Sequence, residues 1–319
     1  MGRQIEKRPP RPETMNQVYL DTARLLIQVA PLVMVDNIFA LKGGTAINLF
    51  VRDMPRLSVD LDLVFVDHTL NRDQALAEIN QAIRAATERL RKRLFQTHVA
   101  TNLDAGETKL FVRRGKIEVK VEVNYVMRGI INPTRTASLT PQAQAALLAN
   151  LELTTLSIDD LYGGKLVAAM DRQHPRDLFD VMQLLAFEGI TPGIRRSFVA
   201  HLAGHNRPIH EVLFPNRKDL FDDYTQTFLG MTTEPVELSV LISVREKMIR
   251  QLQDDLDENE RNFLISLVRN KPNWALLNIA HLDQLPSSRW KMKNIEQLAI
   301  TNPKKFEAQA NELERLLKN

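Results

Sequence analysis

The chain has 319 residues, of which 44% are hydrophobic and 25% are charged, a composition typical of a globular protein long enough for two domains. It contains no cysteine, which excludes disulfides, thiolate metal sites and a cysteine nucleophile and suits a reducing cytoplasm. The net charge is +3, but residues 1–135 contain 21 Lys or Arg against 15 Asp or Glu, whereas the remainder contains 21 against 24, so the first half suits a polyanionic partner.

The N-terminal segment, residues 1–13, is basic and rich in proline, and we expect it to be a loose arm without an apolar signal core. A helix is predicted from Thr14 to Val29, and Pro31 is expected to end it. The most apolar window, Leu25 to Val35, is too short to cross a bilayer, so we expect no membrane association.

A strand predicted from Ile38 to Leu41 is followed by the turn Gly43-Gly44-Thr45 and a short apolar helix from Ala46 to Val51. Glycines let the backbone approach a ligand closely, and the free N–H groups at the start of a helix attract anions. Such a turn is more often only a tight turn, but at the start of a helix it also predicts a phosphate site.

Two aspartates, Asp60 and Asp62, lie in the next apolar run. Because side chains alternate along a strand, Ser58, Asp60, Asp62 and Val64 are expected to share one face. Neighbouring carboxylates in an apolar strand repel each other unless a cation or hydrogen bonds offset the repulsion. Mg²⁺, or Mn²⁺, prefers carboxylate and phosphate oxygens, so this pair predicts a metal site used in chemistry on a phosphate group.

An amphipathic helix is predicted over residues 73–95, with a basic cluster consisting of Arg84, Arg89, Arg91, Lys92 and Arg93. This cluster is either a solvated face or a contact for a phosphate backbone. Strands are predicted over 97–103, 108–113 and 116–126, joined by turns at Asp104-Ala105-Gly106 and Arg114-Gly115.

The last of these strands offers a third carboxylate for the metal site. Glu118 and Glu122 both lie on its polar side, and strand alternation does not separate them. An exposed edge strand would give the same alternation.

From Pro141 onward the sequence predicts helices and no strand. The predicted helices span 141–151, 157–170, 175–187, 193–203, 236–250, 257–269 and 303–317. Ser157, with Asp160, and Asp257, with Glu260, are expected to cap two of them. The acidic run around Asp257 lacks the glycine and ligand spacing of an EF-hand.

Lys165 lies on an apolar helix, where a lysine alone would be expected to extend its charge to solvent. Beside a metal–carboxylate strand it becomes a candidate ligand for β- and γ-phosphates. Asp177 and Asp180 share one face of the following helix. Asp177 is expected either to orient Lys165 or to contact the nucleotide, and Arg176 could pair with Asp180.

Four blocks in this order, GGTAINLF, RLSVDLDLVF, VKVEVN and DDLYGGKLVAAMDRQHPRDLFDV, resemble the AbiEii/AbiGii toxin family of nucleotidyltransferases. These are toxin halves of bacterial type IV toxin–antitoxin and abortive-infection systems. The blocks cover roughly residues 38–181. The resemblance implies an α+β fold, with a DNA-polymerase-β-like nucleotidyltransferase domain built on a mixed sheet over residues 1–135 and a helical domain over residues 136–319.

The resemblance also implies a role for each motif residue. The phosphate- and nucleotide-binding residues would be Gly43, Gly44, Thr45, Ser58 and Lys165, the metal ligands Asp60, Asp62 and Glu122, and the catalytic residues Asp60, Asp62, Lys165 and Asp177. The family's usual Gly-Ser turn is here Gly44-Thr45, which keeps the hydroxyl but changes its shape. Ser58 is either a regulatory hydroxyl near the metal or simply a strand residue.

The expected reaction is Mg²⁺-dependent transfer of an NMP from an NTP to an RNA hydroxyl. The resemblance suggests a tRNA 3′ end as acceptor and a cognate antitoxin as partner. Alternatives are protein nucleotidylation at the same site, a glycosyltransferase, and a non-catalytic nucleic-acid-binding or partner-binding module. A zinc hydrolase built on His201, His205 and His210 is a weaker alternative, because no glutamate base lies between the histidines.

Overall fold

A computed structural model describes residues 17–102 and 107–318. The arm predicted over residues 1–13 and the turn predicted at Asp104-Ala105-Gly106 lie outside the described residues. Within the described ranges the chain forms a seven-stranded sheet and thirteen α-helices.

The strands are β1 (Phe39–Lys42), β2 (Leu61–Phe65), β3 (Gln96–Asn102), β4 (Glu107–Arg114), β5 (Ile117–Asn124), β6 (Arg135–Ser138) and β7 (Glu152–Thr155). The helices are α1 (Gln17–Val33), α2 (Gly43–Phe50), α3 (Arg72–Lys92), α4 (Pro141–Leu147), α5 (Ile158–Arg172), α6 (Pro175–Ala186), α7 (Pro192–Ala203), α8 (Ile209–Leu213), α9 (Phe221–Thr227), α10 (Leu238–Asp254), α11 (Glu258–Val268), α12 (Pro286–Thr301) and α13 (Pro303–Lys318), with a 3-10 helix at Trp274–Leu277. No helix in these ranges is long and apolar enough to cross a membrane.

The sheet has the order β3-β4-β5-β2-β1-β7-β6 and is mixed. Strand β2 runs parallel to β5, and β1 runs parallel to β7, whereas the other neighbours pair antiparallel. The register places Asp62 opposite Lys42 on one side and opposite Glu122 on the other. The three central strands therefore bring their charged residues to one part of the sheet.

The expectation of no strand after Pro141 was wrong. Strand β7, which pairs with β1 and β6, lies in this region, so the sheet extends beyond residue 135. Four residues are too few to show a clear hydrophobic period, and β7 owes its conformation to pairing with a distant strand. The division into domains at residue 135 stays a prediction.

Pro31 lies inside α1 instead of ending it. The proline itself is exposed, while Val29, Ala30 and Val33 around it are buried in the core. Burial of these apolar side chains outweighs the loss of one helical hydrogen bond. The predicted caps are confirmed: Ser157 accepts a hydrogen bond from the Asp160 amide, and Asp257 with Glu260 forms a capping box.

Helix α5 packs closely on α7, and Gly163 makes this approach possible. A Cβ atom at Gly163 would lie 2.7 Å from the backbone carbon of Ser197. Interiors are packed at the density of organic crystals, so there is no room for that methyl group unless α7 moves. The packing fixes α5 beside the sheet, and α5 carries Lys165.

We expect Gly163→Ala to lower the free energy of unfolding by about 1–3 kcal/mol, because the added methyl group overpacks the contact between helices. Gly164→Ala is the matched control, since its nearest neighbour would be His201 Nε2 at 3.7 Å. Alanine favours the helix, so this control should be neutral or stabilise by up to about 1 kcal/mol. Urea unfolding of both variants measures the difference, and equal stabilities would contradict the close packing.

Candidate active site

One cleft of about 610 Å³ brings most of the predicted motif residues together. Its lining on the sheet side includes Asp62, Val64 and Glu122, and on the α5 side Gly164 and Lys165. Ser58 and Asp60 also line it, as expected from strand alternation, although β2 itself begins only at Leu61.

The Gly-Gly turn forms the first residues of α2, three positions before the predicted start of that helix. Gly43 has a φ of +73°, which favours glycine, and a Cβ there would lie 2.6 Å from Asp62 Oδ2. A Cβ at Gly44 would lie 2.7 Å from Arg56 Nη2. The glycines thus let a carboxylate and a guanidinium approach the N-terminus of α2, where free amides remain to bind an anion.

Thr45 is not at the surface of the cleft. It is 1% exposed, and its hydroxyl donates a 2.6 Å hydrogen bond to the Asp60 carbonyl and lies 3.1 Å from Ser58 Oγ. The expected contact between this hydroxyl and phosphate does not fit its position. Thr45 instead connects the start of α2 to the segment that carries Asp60.

Asp60 has a raised pKa because of burial, and the negative charges of Asp62 and Glu122 raise it further while Lys120 opposes them. The carboxylates therefore make each other's ionisation costly. Lys120 Nζ lies 4.0 Å from Asp60 Oδ2 and 3.2 Å from Glu122 Oε2. A positive charge is thus favoured at this point of the cleft.

The structure separates the two candidates for the third carboxylate. Glu122 lies opposite Asp62 in the β2–β5 register. Glu118 is four residues earlier on β5, lies opposite Arg113 and forms an ion pair of 2.7 Å with it. Glu122 is therefore the glutamate beside the aspartate pair.

The residues present fit a divalent cation bound together with nucleotide. Among the residues that the structure describes, no three His, Cys, Asp or Glu side chains form a finished metal cage. Mg²⁺ is commonly held by one or two carboxylates plus substrate phosphates. Asp60 and Asp62 supply that pair next to the anion-binding end of α2, whereas Glu122 is engaged by Lys120.

Lys165 does not extend to solvent, so that alternative was wrong. It is 8% exposed, and its Nζ lies 2.9 Å from Asp177 Oδ1 and 2.8 Å from Asp180 Oδ2. Burial acts to lower the pKa of Lys165, but the two carboxylates outweigh it and raise the pKa. Two of its three donors are engaged at these carboxylates, which leaves one for a ligand in the cleft. Asp177, which also pairs with Arg172, orients Lys165.

Asp180 is the centre of a buried ionic network, which we call the Asp180 network and which comprises Asp180, Arg56, Lys165 and Asn48. Arg56 Nε and Nη2 donate to the two Asp180 oxygens at 2.7 and 2.6 Å, and Asn48 donates to Oδ1 at 3.0 Å. Burial alone would raise the pKa of Asp180, but Arg56 and Lys165 hold it far below its usual range. The pairing of Asp180 with Arg176 was therefore wrong.

Sequence reasoning missed Arg56 and Lys120. The only signal for Arg56 was a lone arginine four residues before Asp60, and Lys120 alternates with the glutamates of β5. The three histidines of the zinc alternative do not meet at one site. His201 and His205 line the cleft, whereas His210 lies on α8 outside its lining.

We expect Asp180→Asn to lower the free energy of unfolding by about 3–5 kcal/mol, because it leaves Arg56 and Lys165 buried without their shared carboxylate. Asp60→Asn is the matched control. It should not destabilise the protein, because it relieves repulsion with Asp62 and Glu122. Denaturant unfolding at neutral pH compares them, and an Asp180→Asn variant as stable as the control would show that the network does not hold the fold.

Comparison with known proteins places these features in a family. The family model described as "Nucleotidyl transferase AbiEii toxin, Type IV TA system" matches residues 24–294. No curated protein matches the chain. Among solved structures, MenT4, a nucleotidyltransferase toxin from Mycobacterium tuberculosis, is similar with a TM-score of 0.56 and 21% identity, over 88% of this chain and 92% of that chain.

The likeness to MenT4 confirms the predicted mixed α+β fold, and the family match confirms the resemblance drawn from the four sequence blocks. The matched range includes the strands and helices that line the cleft, from β1 to α7. The chain belongs to the AbiEii family of nucleotidyltransferase toxins of type IV toxin–antitoxin systems.

Proposed function

We propose that this toxin transfers an NMP from an NTP to an RNA hydroxyl, with a tRNA 3′ end as the acceptor. One observation carries the proposal: the Asp60–Asp62 pair shares a single cleft with the N-terminus of α2 and with Lys165. Carboxylates that favour a cation and amides that favour an anion are the two requirements for binding a metal–triphosphate.

The residues of the chain then have distinct tasks. The amides at the start of α2 bind phosphate oxygens, and Lys165, held by Asp177 and Asp180, adds a fixed positive charge. A divalent cation held by Asp60 and Asp62 would lower the pKa of the acceptor hydroxyl and stabilise the leaving pyrophosphate. The Thr45 hydroxyl keeps Asp60 in place by donating a hydrogen bond to the Asp60 backbone carbonyl.

The reaction is an in-line displacement. The acceptor oxygen bonds to the α-phosphorus, the bond from that phosphorus to the bridging oxygen breaks, and pyrophosphate leaves with the electron pair. The hydroxyl proton passes to a carboxylate of the cleft, which acts as the general base. Catalysis comes mainly from positioning and electrostatics, as in other phosphoryl transfers.

The family implies an antitoxin as partner, and we propose that the toxin acts in the cytoplasm, where NTPs and tRNA are abundant. A modified acceptor end cannot be aminoacylated, so transfer to tRNA would stop translation and explain toxicity. The slight basic excess of residues 1–135 supports a nucleic-acid acceptor.

We expect Asp60→Asn and Asp62→Asn each to lower nucleotide transfer by roughly 100-fold or more, since each removes a charge that binds the metal–triphosphate. The purified chain is incubated with each labelled NTP, Mg²⁺ and total cellular RNA, and labelled products are separated on a denaturing gel. Asp36→Asn, at an exposed position, is the control and should transfer like the parent.

Label in bands of tRNA size, absent from both cleft variants, is the expected result. Full transfer by either cleft variant would reject the metal site. Label confined to protein would reject the RNA acceptor and favour protein nucleotidylation at the same cleft. If no labelled product and no pyrophosphate form with any NTP, the proposed enzymatic activity is wrong.

A further inference from the structure

Arg128 is a buried arginine to which the proposed function assigns no role. It lies between β5 and β6, lines the cleft and is 5% exposed. Its Nε and Nη1 atoms are buried and have no hydrogen-bond acceptor among the described residues. The other buried arginines among the described residues all form an ion pair; they are Arg52, Arg56 and Arg245.

A buried guanidinium without an acceptor is costly for the fold. Burial lowers the pKa of Arg128, and the nearby Arg72 lowers it further, so the neighbouring charge adds repulsion. Unpaired buried charges are costly, and in proteins such groups are normally completed by ordered water, an ion or a ligand. The fixed fork of N–H donors makes an oxyanion, above all a phosphate group, the matching ligand.

The backbone holds Arg128 in place without help from its side chain. The next residue, Gly129, donates its N–H to the Phe65 carbonyl at 2.8 Å. A Cβ at Gly129 would lie 2.8 Å from both His68 Cβ and Leu285 Cδ2, and its φ of +82° favours glycine. Arg128 is therefore positioned in advance at one end of the cleft.

That end is separate from the site proposed for the triphosphate. Phe65 is three residues beyond Asp62 on β2, which at roughly 3.3 Å per residue is about 10 Å along the strand. The N-terminus of α2 lies at the Asp62 end, since Gly43 contacts Asp62. The backbone beside Arg128 is therefore anchored at the opposite end of β2 from the N-terminus of α2.

Two exposed arginines extend the positive charge at the Arg128 end. Arg72 begins α3, and its positive charge, after burial, lowers the pKa of Arg128. Arg289 lies on α12 one helical turn after Leu285, whose side chain packs against Gly129. Neither forms an ion pair with any residue in the two described ranges. We call Arg72, Arg128 and Arg289 the arginine track.

We propose that Arg128 binds a backbone phosphate of the acceptor RNA, at one of the last two linkages before the reacting hydroxyl, and that Arg72 and Arg289 guide the strand toward it. This inference rests on the proposed transfer to RNA. The backbone beside Arg128 is hydrogen-bonded to Phe65, about 10 Å along β2 from Asp62, which is the reach of one or two nucleotides, and the triphosphate already has its anion site at α2.

The arginine track differs from the basic cluster predicted at Arg84 to Arg93. The members of that cluster lie further along α3, roughly 18–32 Å from Arg72 at 1.5 Å per residue. Two of its members are already engaged, because Arg89 donates to the Leu32 carbonyl and Arg91 donates to Thr97.

The test compares Arg128→Met, which keeps the volume but removes the charge, with Arg128→Lys, which keeps the charge. Arg245→Met is the control for a structural arginine, because Arg245 is equally buried but is bonded to Lys218, Gln173 and Glu246. The probe is an RNA hairpin with an unpaired 3′ tail. It is made in three forms: one with natural linkages only, and two in which a neutral methylphosphonate replaces either the last or the second-last linkage.

We expect Arg128→Met to weaken hairpin binding tenfold or more and to reduce the slope of log K against log salt by about 0.7–1. NTP binding should not change. At the linkage that Arg128 contacts, the neutral group should weaken hairpin binding by the parent and by Arg128→Lys but not by Arg128→Met. Thermal unfolding of Arg128→Met should occur at or above the parent temperature, whereas Arg245→Met should unfold earlier.

Three results with Arg128→Met would overturn the inference: this variant binds the natural hairpin like the parent, it loses NTP binding while RNA binding is kept, or it unfolds as early as Arg245→Met. A parent chain that does not bind the hairpin at all would overturn it too. Binding is measured without transfer, so the two proposals fail separately. A parent that binds the hairpin through Arg128 but transfers no nucleotide would reject only the proposed function.

Discussion

The Asp180 network is the constraint on which the cleft depends. One carboxylate without solvent contact pairs with both Arg56 and Lys165 and accepts a hydrogen bond from Asn48, so it joins the segment before β2, helix α2, helix α5 and helix α6. Such a network has a large desolvation cost, which its ion pairs and hydrogen bonds offset. Its benefit is geometric, because it fixes Lys165 and the start of α2 relative to each other across the cleft.

The cleft combines opposite charges in a way that suits a polyanionic substrate. Carboxylates gather on the sheet around Asp62, and the same cleft contains Lys165, which is held by Asp177, and Arg128, whose Nε and Nη1 have no acceptor among the described residues. The cleft therefore carries charges of both signs. A substrate that brings both a metal ion and phosphate groups complements this combination.

Sequence patterns predicted what depends on local order and missed what depends on distant partners. The shared face of Ser58, Asp60 and Asp62 followed from strand alternation, and the capping residues followed from three-residue spacing. The pair of Arg56 and Asp180 joins positions 124 residues apart, and no local pattern predicts it. Thr45 shows a subtler failure, because the motif predicts a hydroxyl in the turn but not which way it points.

The pairing of β1 with β7 determines what happens to the protein after proteolytic cleavage. Strand β1, whose Phe39, Ala40 and Leu41 are fully buried, is covered on one side only by a strand from the second half of the chain. If a protease cut the chain between the halves and the second half were lost, β1 would become a bare apolar edge that can pair with other molecules. The remaining fragment would precipitate or be degraded, so cleavage would end toxicity completely and leave no partly active remnant.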